Sequence, residues 1–390
     1  MDLNLLDFIR SNLNDEKICS KRYFLYRDKY RVRKYSFRDI YQCALNFESY
    51  LKKSNINASD KVIIKAQNGP EWIIAFLGIL FRGAIAVPLD LKSSADFDIK
   101  VLNKVCAKAV VSDCRENCNN FLKVEIKKII ISDLDYIFLR KTSGSNKTEF
   151  DDRYNNDYKI SFKRDKEELA EIVFTSGTTQ EPKGVQVSYK NIEANLKAII
   201  PVMGKYSGFF KAMVNPRLLT VVPLSHLYGQ LIGIFTPMMI KSSVMFTYSV
   251  NPQHILKIIK EEKIWILGIL PKLLELLKNH IIEKYNLSAP KFLKTFERMK
   301  TKKWQIRFAR FFKLHIKIGL RLVALMVGGA VLEQSVDEFF RCLAYAIFQG
   351  YGLTETAPLV TLSDPIGGVS GSIGKVLSGQ QLKIIDGEIY

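Results

Sequence analysis

The sequence predicts an α/β protein whose sheets are largely parallel and which ends in the start of a small β unit. Helix and strand patterns alternate from Tyr35 to Asp90, and short apolar runs recur with helical stretches between them through the middle of the chain. The final stretch is crowded with Gly367, Gly368, Gly371, Gly374 and Gly379. Alternation of the first kind places parallel strands beneath crossover helices, whereas glycine-rich turns leading into the short run 381–385 read as entry to a β unit. With 390 residues, 47% of them hydrophobic, the chain can bury about three quarters of its unfolded surface, enough for one large or two fused cores.

In order along the chain, an amphipathic helix spans 36–52, a strand 61–66, and an apolar helix 70–81. A small-residue turn at Gly83 leads to a strand over 84–88, and 110–111 and 129–131 read as two further buried strands. The polar stretch 141–159, rich in Gly, Ser, Asn and Asp, reads as a surface loop. A strand then ends at Phe174, a Gly/Thr-rich turn follows, and a short strand over 185–187 precedes a helix beginning near Lys190. Further strands are expected at 218–222, 244–246 and 265–269, with helices at 252–262 and 271–285. The chain shows no internal repeat.

Composition excludes several classes. No stretch of 18 or more apolar residues is free of charge, and the Met-Asp-Leu-Asn start is no secretory signal, so a cytoplasmic protein is expected. Six scattered cysteines offer one close pair, Cys114 and Cys118, without the converging partners that zinc needs. The net charge of +19 invites a nucleic-acid reading, but it is uneven: from Pro290 to Arg321 eleven Lys or Arg stand against one acid, Glu297. No nucleic-acid-binding signature accompanies it, and no nucleic-acid partner is expected. In that segment Phe292, Phe296, Trp304, Phe308, Phe311 and Phe312 interleave with the charges, which suits a helix lying on a membrane surface or, equally, one packed on the core with a solvated basic face.

Two stretches carry chemistry. In Phe174-Thr-Ser-Gly-Thr-Thr-Gln-Glu-Pro-Lys-Gly184, small and hydroxylated residues after a strand offer N–H groups and hydroxyls to phosphate oxygens. Thr175, Ser176, Gly177, Thr178 and Thr179 form that cradle, and Lys183 adds a charge for the outer phosphates. The spacing is not that of a Walker loop, and a plain polar hairpin is the competing reading. In Gln349-Gly-Tyr-Gly-Leu-Thr-Glu-Thr356, Tyr351 can stack on a base, Gly350 and Gly352 allow close approach, Thr354 can bond the α-phosphate, and Glu355 can hold Mg²⁺. A capping or surface carboxylate is the competing reading of Glu355.

Together these motifs resemble the two signatures of the adenylate-forming superfamily, which includes acyl-CoA synthetases, luciferases and peptide-synthetase adenylation domains. Ala58-Ser-Asp-Lys-Val62, Asn68-Gly-Pro-Glu-Trp72, Gly83-Ala-Ile-Ala-Val-Pro-Leu-Asp90, Val222-Pro-Leu-Ser-His-Leu-Tyr228 and Gly328-Gly-Ala330 follow in the family's order, so the resemblance covers 35–390. It implies the large N-terminal domain of such an enzyme: two packed subdomains, 1–60 with 200–345 and 60–200, and the start of a small β-barrel over 346–390. It also implies ATP and Mg²⁺ as cofactors and coenzyme A as second substrate. Gly328, Gly329 and Ala330 would line the adenine and acyl pocket, Gln349 would open the second nucleotide turn, and His226 would sit near the substrate carboxylate with 231–240 walling its tail. A lone histidine beside an apolar helix also has a purely structural reading.

Pro223 to Leu227 resembles the long-chain fatty acid ligases, and no acid between Ser225 and Pro237 is available for a substrate ammonium, which implies a fatty acid. The implied reaction is attack of its carboxylate on the α-phosphorus of ATP, with pyrophosphate leaving, then transfer to coenzyme A. A ligase delivering the adenylate to a carrier protein, and a degenerate binding protein, are the alternatives. Two departures stand out. Gln180 replaces a family glycine, at roughly 1–2 kcal/mol if the backbone there is left-handed. The chain also stops before the family's Thr-Gly-Asp motif and the C-terminal domain with its catalytic lysine. It reads as a fragment or a shortened form that binds ATP but turns over weakly.

Overall fold

The computed structural model describes residues 3–16, 21–28, 31–134, 165, 167–175, 181–247 and 249–389. The expected loop over 141–159 lies outside them. The chain divides into two compact units, Met1–Lys197 with Pro223–Gln230, and Ala198–Val222 with Leu231–Tyr390.

The first unit holds the hairpin of β1 (Arg22–Asp28) and β2 (Arg31–Ser36), and the strands β3 (Lys61–Ile64), β4 (Ile85–Pro88), β5 (Ala109–Ser112), β6 (Lys127–Ile130), β7 (Leu169–Thr175) and β8 (Lys183–Ser188). The last six form a sheet in the order β6-β5-β3-β4-β7-β8, parallel except for β7 with β8. β4 and β5 are buried at every position, as strands covered on both faces must be. One face packs against Val101, Leu102 and Val105 of the helix Ala95–Val105 and against Phe121.

Local signals set the helix ends. Ser36 and Asp39 close a capping box on the helix Phe37–Lys53. Pro70 opens the helix Pro70–Arg82, and Gly83 ends it in left-handed backbone, φ 74°. These two helices cross closely because position 78 is glycine: a Cβ there would stand 2.7 Å from Phe47 Cδ1. Both helices belong to the first unit.

The second unit contains β9 (Arg217–Thr220), β10 (Ser243–Phe246), β11 (Ile266–Ile269), β12 (Ala324–Val327), β13 (Ala346–Tyr351), β14 (Thr361–Leu362) and β15 (Lys375–Val376). They run in the order β15-β14-β13-β12-β11-β9-β10; β9 to β13 are mutually parallel, and β14 and β15 join antiparallel. The hairpin of β16 (Ile384–Ile385) and β17 (Glu388–Ile389) follows. Among the described residues these final strands close no barrel; 346–390 begins instead with the edge strand β13 of the parallel sheet. Residues 290–321 form two helices, Pro290–Met299 and Trp304–Ile318.

Candidate functional site

In the first unit, Thr175 and Lys183 are register partners where β7 ends and β8 begins. Lys183 is exposed. Ser176, Gly177, Thr178, Thr179 and Gln180 lie outside the described residues. Gly184 fits because a Cβ would meet Phe174 Cζ and Ile172 Cγ2 at 2.9 Å. One contact that the sequence did not suggest steadies the residue before β8: Lys104 Nζ donates to the Pro182 carbonyl oxygen at 2.8 Å.

Three of the motif segments meet beside this pair of strands. The Leu224 N–H donates to Asn68 Oδ1 at 2.8 Å, joining 222–228 to 68–72. His226 Nε2 lies 3.9 Å from Asp90 Oδ2, and both side chains are partly exposed. An acid, Asp90, thus stands beside His226 although none occurs between Ser225 and Pro237. Gly229 carries no Cβ because the Pro223 carbonyl oxygen occupies the space, 1.8 Å from where one would stand. The segment is tight enough that glycine is its only fit.

Beneath His226, the helix Leu227–Gln230 is tied to β7. Gln230 Nε2 donates to Glu171 Oε2 at 2.8 Å, and both residues are fully buried. Among the described residues, Glu171 Oε1 and Gln230 Oε1 have no hydrogen-bond partner. Burial pushes the Glu171 carboxyl up to about 7, and the Gln230 bond offsets part of that rise. A carboxyl raised in this way holds its proton folded but not unfolded between its ordinary value and 7. Stability therefore falls as pH climbs through that window, by about 3 kcal/mol in all, and stays level above it. Glu171→Gln removes the charge and lets two amides exchange hydrogen bonds. It is expected to raise the melting temperature at pH 8 and to change it little at pH 5; an equal shift at both pH values would show that Glu171 is not the titrating group.

The second unit supplies the other turns. β12 and β13 are parallel neighbours with Val327 opposite Gln349; Gly328-Gly329-Ala330 follow the carboxyl end of β12, while Gly350 and Tyr351 continue β13 past that point, paired with Leu362 and Thr361 of β14, before Gly352 leaves the strand. The carboxyl ends of the strands are where open parallel sheets bind ligands. Gly329 adopts φ 83°, which favours glycine, and Gly329 and Ala330 are exposed. Gln349 is buried; its backbone N–H donates to Ser363 Oγ at 3.0 Å, and its Oε1 has no partner among the described residues. Gly350 and Gly352 have an internal reason to be glycine, since Cβ atoms would stand 2.2 Å from Leu359 Cδ1 and 2.0 Å from the Pro358 carbonyl oxygen. Thr354–Thr356 forms one 3-10 turn, pinned by Thr356 Oγ1 accepting from the Leu353 N–H at 2.8 Å. Tyr351 and Thr354 are half-buried there, and Glu355 projects into solvent.

The donor set fits Mg²⁺ held mainly by substrate. Among the described residues no group of three His, Cys, Asp or Glu side chains converges. Glu355 is a lone exposed carboxylate, and magnesium commonly takes one or two carboxylates and completes its shell with phosphate oxygens and water.

The fold has known counterparts. An o-succinylbenzoate CoA synthetase from Bacillus subtilis superposes with a TM-score of 0.70 at 18% identity, covering 98% of this chain and 67% of that one. The long-chain-fatty-acid–CoA ligase 1 of Cavia porcellus is 24% identical over 83% of this chain and 49% of its own length. The chloroplastic long-chain-fatty-acid–[acyl-carrier-protein] ligase AEE15 of Arabidopsis thaliana is 23% identical over 91% of this chain and 56% of its own. The chain thus spans about half the length of these curated relatives. The model of the family described as AMP-binding enzyme matches residues 15–389. With that match running through every motif above, the chain belongs to the AMP-binding enzyme family.

Proposed function

We propose that the chain is the ATP-binding part of an AMP-forming acid–thiol ligase that activates a fatty acid as its acyl-adenylate and passes the acyl group to coenzyme A. The observation that carries this reading is the match of residues 15–389 to the AMP-binding enzyme family. The two signature motifs lie at strand ends, at Thr175 with Lys183 and at Gly350–Gly352, which supports it.

In this reading Lys183 and the loop 175–179 hold the outer phosphates of ATP, and Thr354 bonds the α-phosphate. Gly328, Gly329, Ala330, Gln349, Gly350, Tyr351 and Gly352 surround the adenosine. Mg²⁺ on Glu355 would neutralise the phosphate charge that grows as pyrophosphate departs. His226, held by the Pro223–Gln230 segment, orients the acid carboxylate, and the chain's work is positioning and charge neutralisation. The buried run 231–240, whose residues Leu231–Phe235 form a π-helical turn, walls an uncharged tail; such turns often mark functional sites. The likeness to AEE15 keeps a carrier protein as the alternative acceptor.

ATP–pyrophosphate exchange against a panel of carboxylic acids tests the reading. Exchange is expected with long-chain acids and not with amino acids or aryl acids. Exchange with none of them, under conditions where the protein is folded, would leave a nucleotide-binding protein rather than a ligase.

A further inference from the structure

The basic segment has a surface that adenylation does not use. Of the eleven Lys and Arg in 290–321, ten are exposed, Arg307 being the exception. The lone acid, Glu297, is bridged to Lys300 at 2.9 Å. Beside these charges part of the apolar surface faces outward, while Phe292 and Phe296 pack on Phe311 and Phe339. The helix Pro290–Met299 has no buried residue, and Leu293 is half exposed. On the helix Trp304–Ile318, Phe311, Leu314, His315 and Ile318 are buried, while Trp304, Phe308, Phe312 and Ile316 follow every fourth residue along one flank. Trp304 is 46% exposed, Phe312 41% and Ile316 50%. An exposed ridge of large apolar groups is unfavourable in water, and together with a cationic face it is the composition of a helix lying at a bilayer surface. Nucleic acid would reward the cations but leave the ridge wet.

The ridge also roofs a mainly apolar cavity of about 330 Å³, lined by Trp304, Phe308, Tyr345, Ala346 and Ile366 together with two arginines, Arg307 and Arg341. That is roughly twice the ~150 Å³ apolar cavity that takes up benzene. Ala346 opens β13, whose far end carries Gly350 and Tyr351. The cavity and the nucleotide turn are thus about 16 Å apart along the strand. A mainly apolar chamber whose walls include the ridge itself suits hydrocarbon entering from the surface the ridge touches.

We infer that this face docks on an anionic phospholipid bilayer and that the cavity takes in the end of one acyl chain. The inference stands apart from the reading of the adenylation site.

Co-sedimentation with phosphatidylcholine vesicles, with and without phosphatidylglycerol, tests the docking. Binding is expected only with the anionic lipid and should weaken as salt rises. Each cation near such a surface contributes enough that Lys302→Glu, Lys303→Glu, Lys313→Glu and Lys317→Glu together should reduce it on the order of a hundredfold or more. Phe312→Ser with Ile316→Ser should also reduce it. All six residues are exposed, so unchanged thermal melts are expected; were a variant to misfold, the salt and lipid dependence of the unaltered protein decides. Equal binding to neutral vesicles, or binding that survives the four reversals, overturns the docking. For the cavity, soluble brominated decanoate should quench Trp304 saturably, with Trp304→Phe identifying the reporter. Ile366→Phe, narrowing the cavity from an exposed position, should weaken quenching at least tenfold and spare vesicle binding. Quenching that is absent, or indifferent to Ile366→Phe, overturns the acyl pocket.

Discussion

Asp98→Ala is expected to destabilise the first unit by about 3–5 kcal/mol, the cost of leaving a buried charge without its partner. Asp98 is fully buried and Lys65 is 3% exposed. Lys65 Nζ bonds Asp98 Oδ2, Ser93 Oγ donates to Asp98 Oδ1 at 2.5 Å, and Asn120 Nδ2 donates to Asp98 Oδ2 at 2.6 Å. The network ties the residue after β3 to the turn at Ser93, the helix Ala95–Val105 and the 3-10 turn Glu116–Phe121. Ser112 Oγ, at the end of β5, adds a bond to the Lys65 carbonyl at 2.7 Å. With the carboxylate gone, Lys65 keeps only the Ser93 hydroxyl and carbonyl, at 3.0 and 3.3 Å. Neither carries a charge. Lys65→Met combined with Asp98→Leu should recover most of the loss, because two apolar side chains of similar size need no compensation. Hydrogen-exchange protection of β3 and β5 under mild urea reads the first unit by itself. If Asp98→Ala and the double variant lose protection equally, the penalty comes from packing and not from the stranded ammonium.

How much of this fold the sequence revealed depends on how local each signal is. Pro70 and Gly83 are punctuation that acts within one turn, and the helix between them ends one residue from its expected limit. The buried strands at 85–88, 109–112 and 266–269 are short β-branched or apolar runs, and they too lie within a residue or two of expectation. The hairpin Arg22–Ser36 was hidden because its strands, RYFLYRD and RVRKYS, are dense in arginine and lysine, keep no strict alternation, and have no glycine to mark the turn between them. The helix Ala95–Val105 was legible and passed over: Ser94 caps it and Phe97, Val101, Leu102 and Val105 share one face. In 290–321 the aromatic spacing suggested a single helix, whereas Lys300 to Lys303 separate two.

At the site, the nonlocal contacts are what sequence could not supply. Glu171 lies in Leu-Ala-Glu-Ile-Val-Phe, where one carboxylate in an apolar strand reads as its solvent face. Its partner Gln230 is 59 residues away. Asp90 and His226 each stand in a recognisable motif, yet nothing in either motif says that the two face each other. Gly350 and Gly352 show the opposite limit. Both were expected to serve a nucleotide turn, yet at Gly352 the chain's own Pro358 backbone already requires glycine, and at Gly350 the Leu359 side chain fills the space. A glycine motif therefore marks a tight turn first and a binding turn only when charged groups beside it respond to ligand.

That reasoning puts the decisive test on Lys183 and Glu355, which have no packing role to confuse the result. Both are exposed, so Lys183→Ala and Glu355→Gln should each shift stability by no more than about 0.5 kcal/mol. Their effect on acid-dependent ATP–pyrophosphate exchange should be far larger, on the order of 10²–10³-fold each, as expected for a charge aimed at the transition state. The two losses should differ in kind. Lys183 acts as a point charge on the outer phosphates, so Lys183→Arg should keep part of the rate, whereas Lys183→Ala should also weaken ATP binding. Glu355→Gln should raise the magnesium concentration needed for half-maximal exchange and leave ATP binding measured without magnesium nearly unchanged. If both variants lower exchange less than about fivefold while the parent protein exchanges, the two turns do not share a triphosphate. An equal and large loss from Glu355→Gln with no change in magnesium dependence would instead make Glu355 a positioning carboxylate, with the metal held elsewhere.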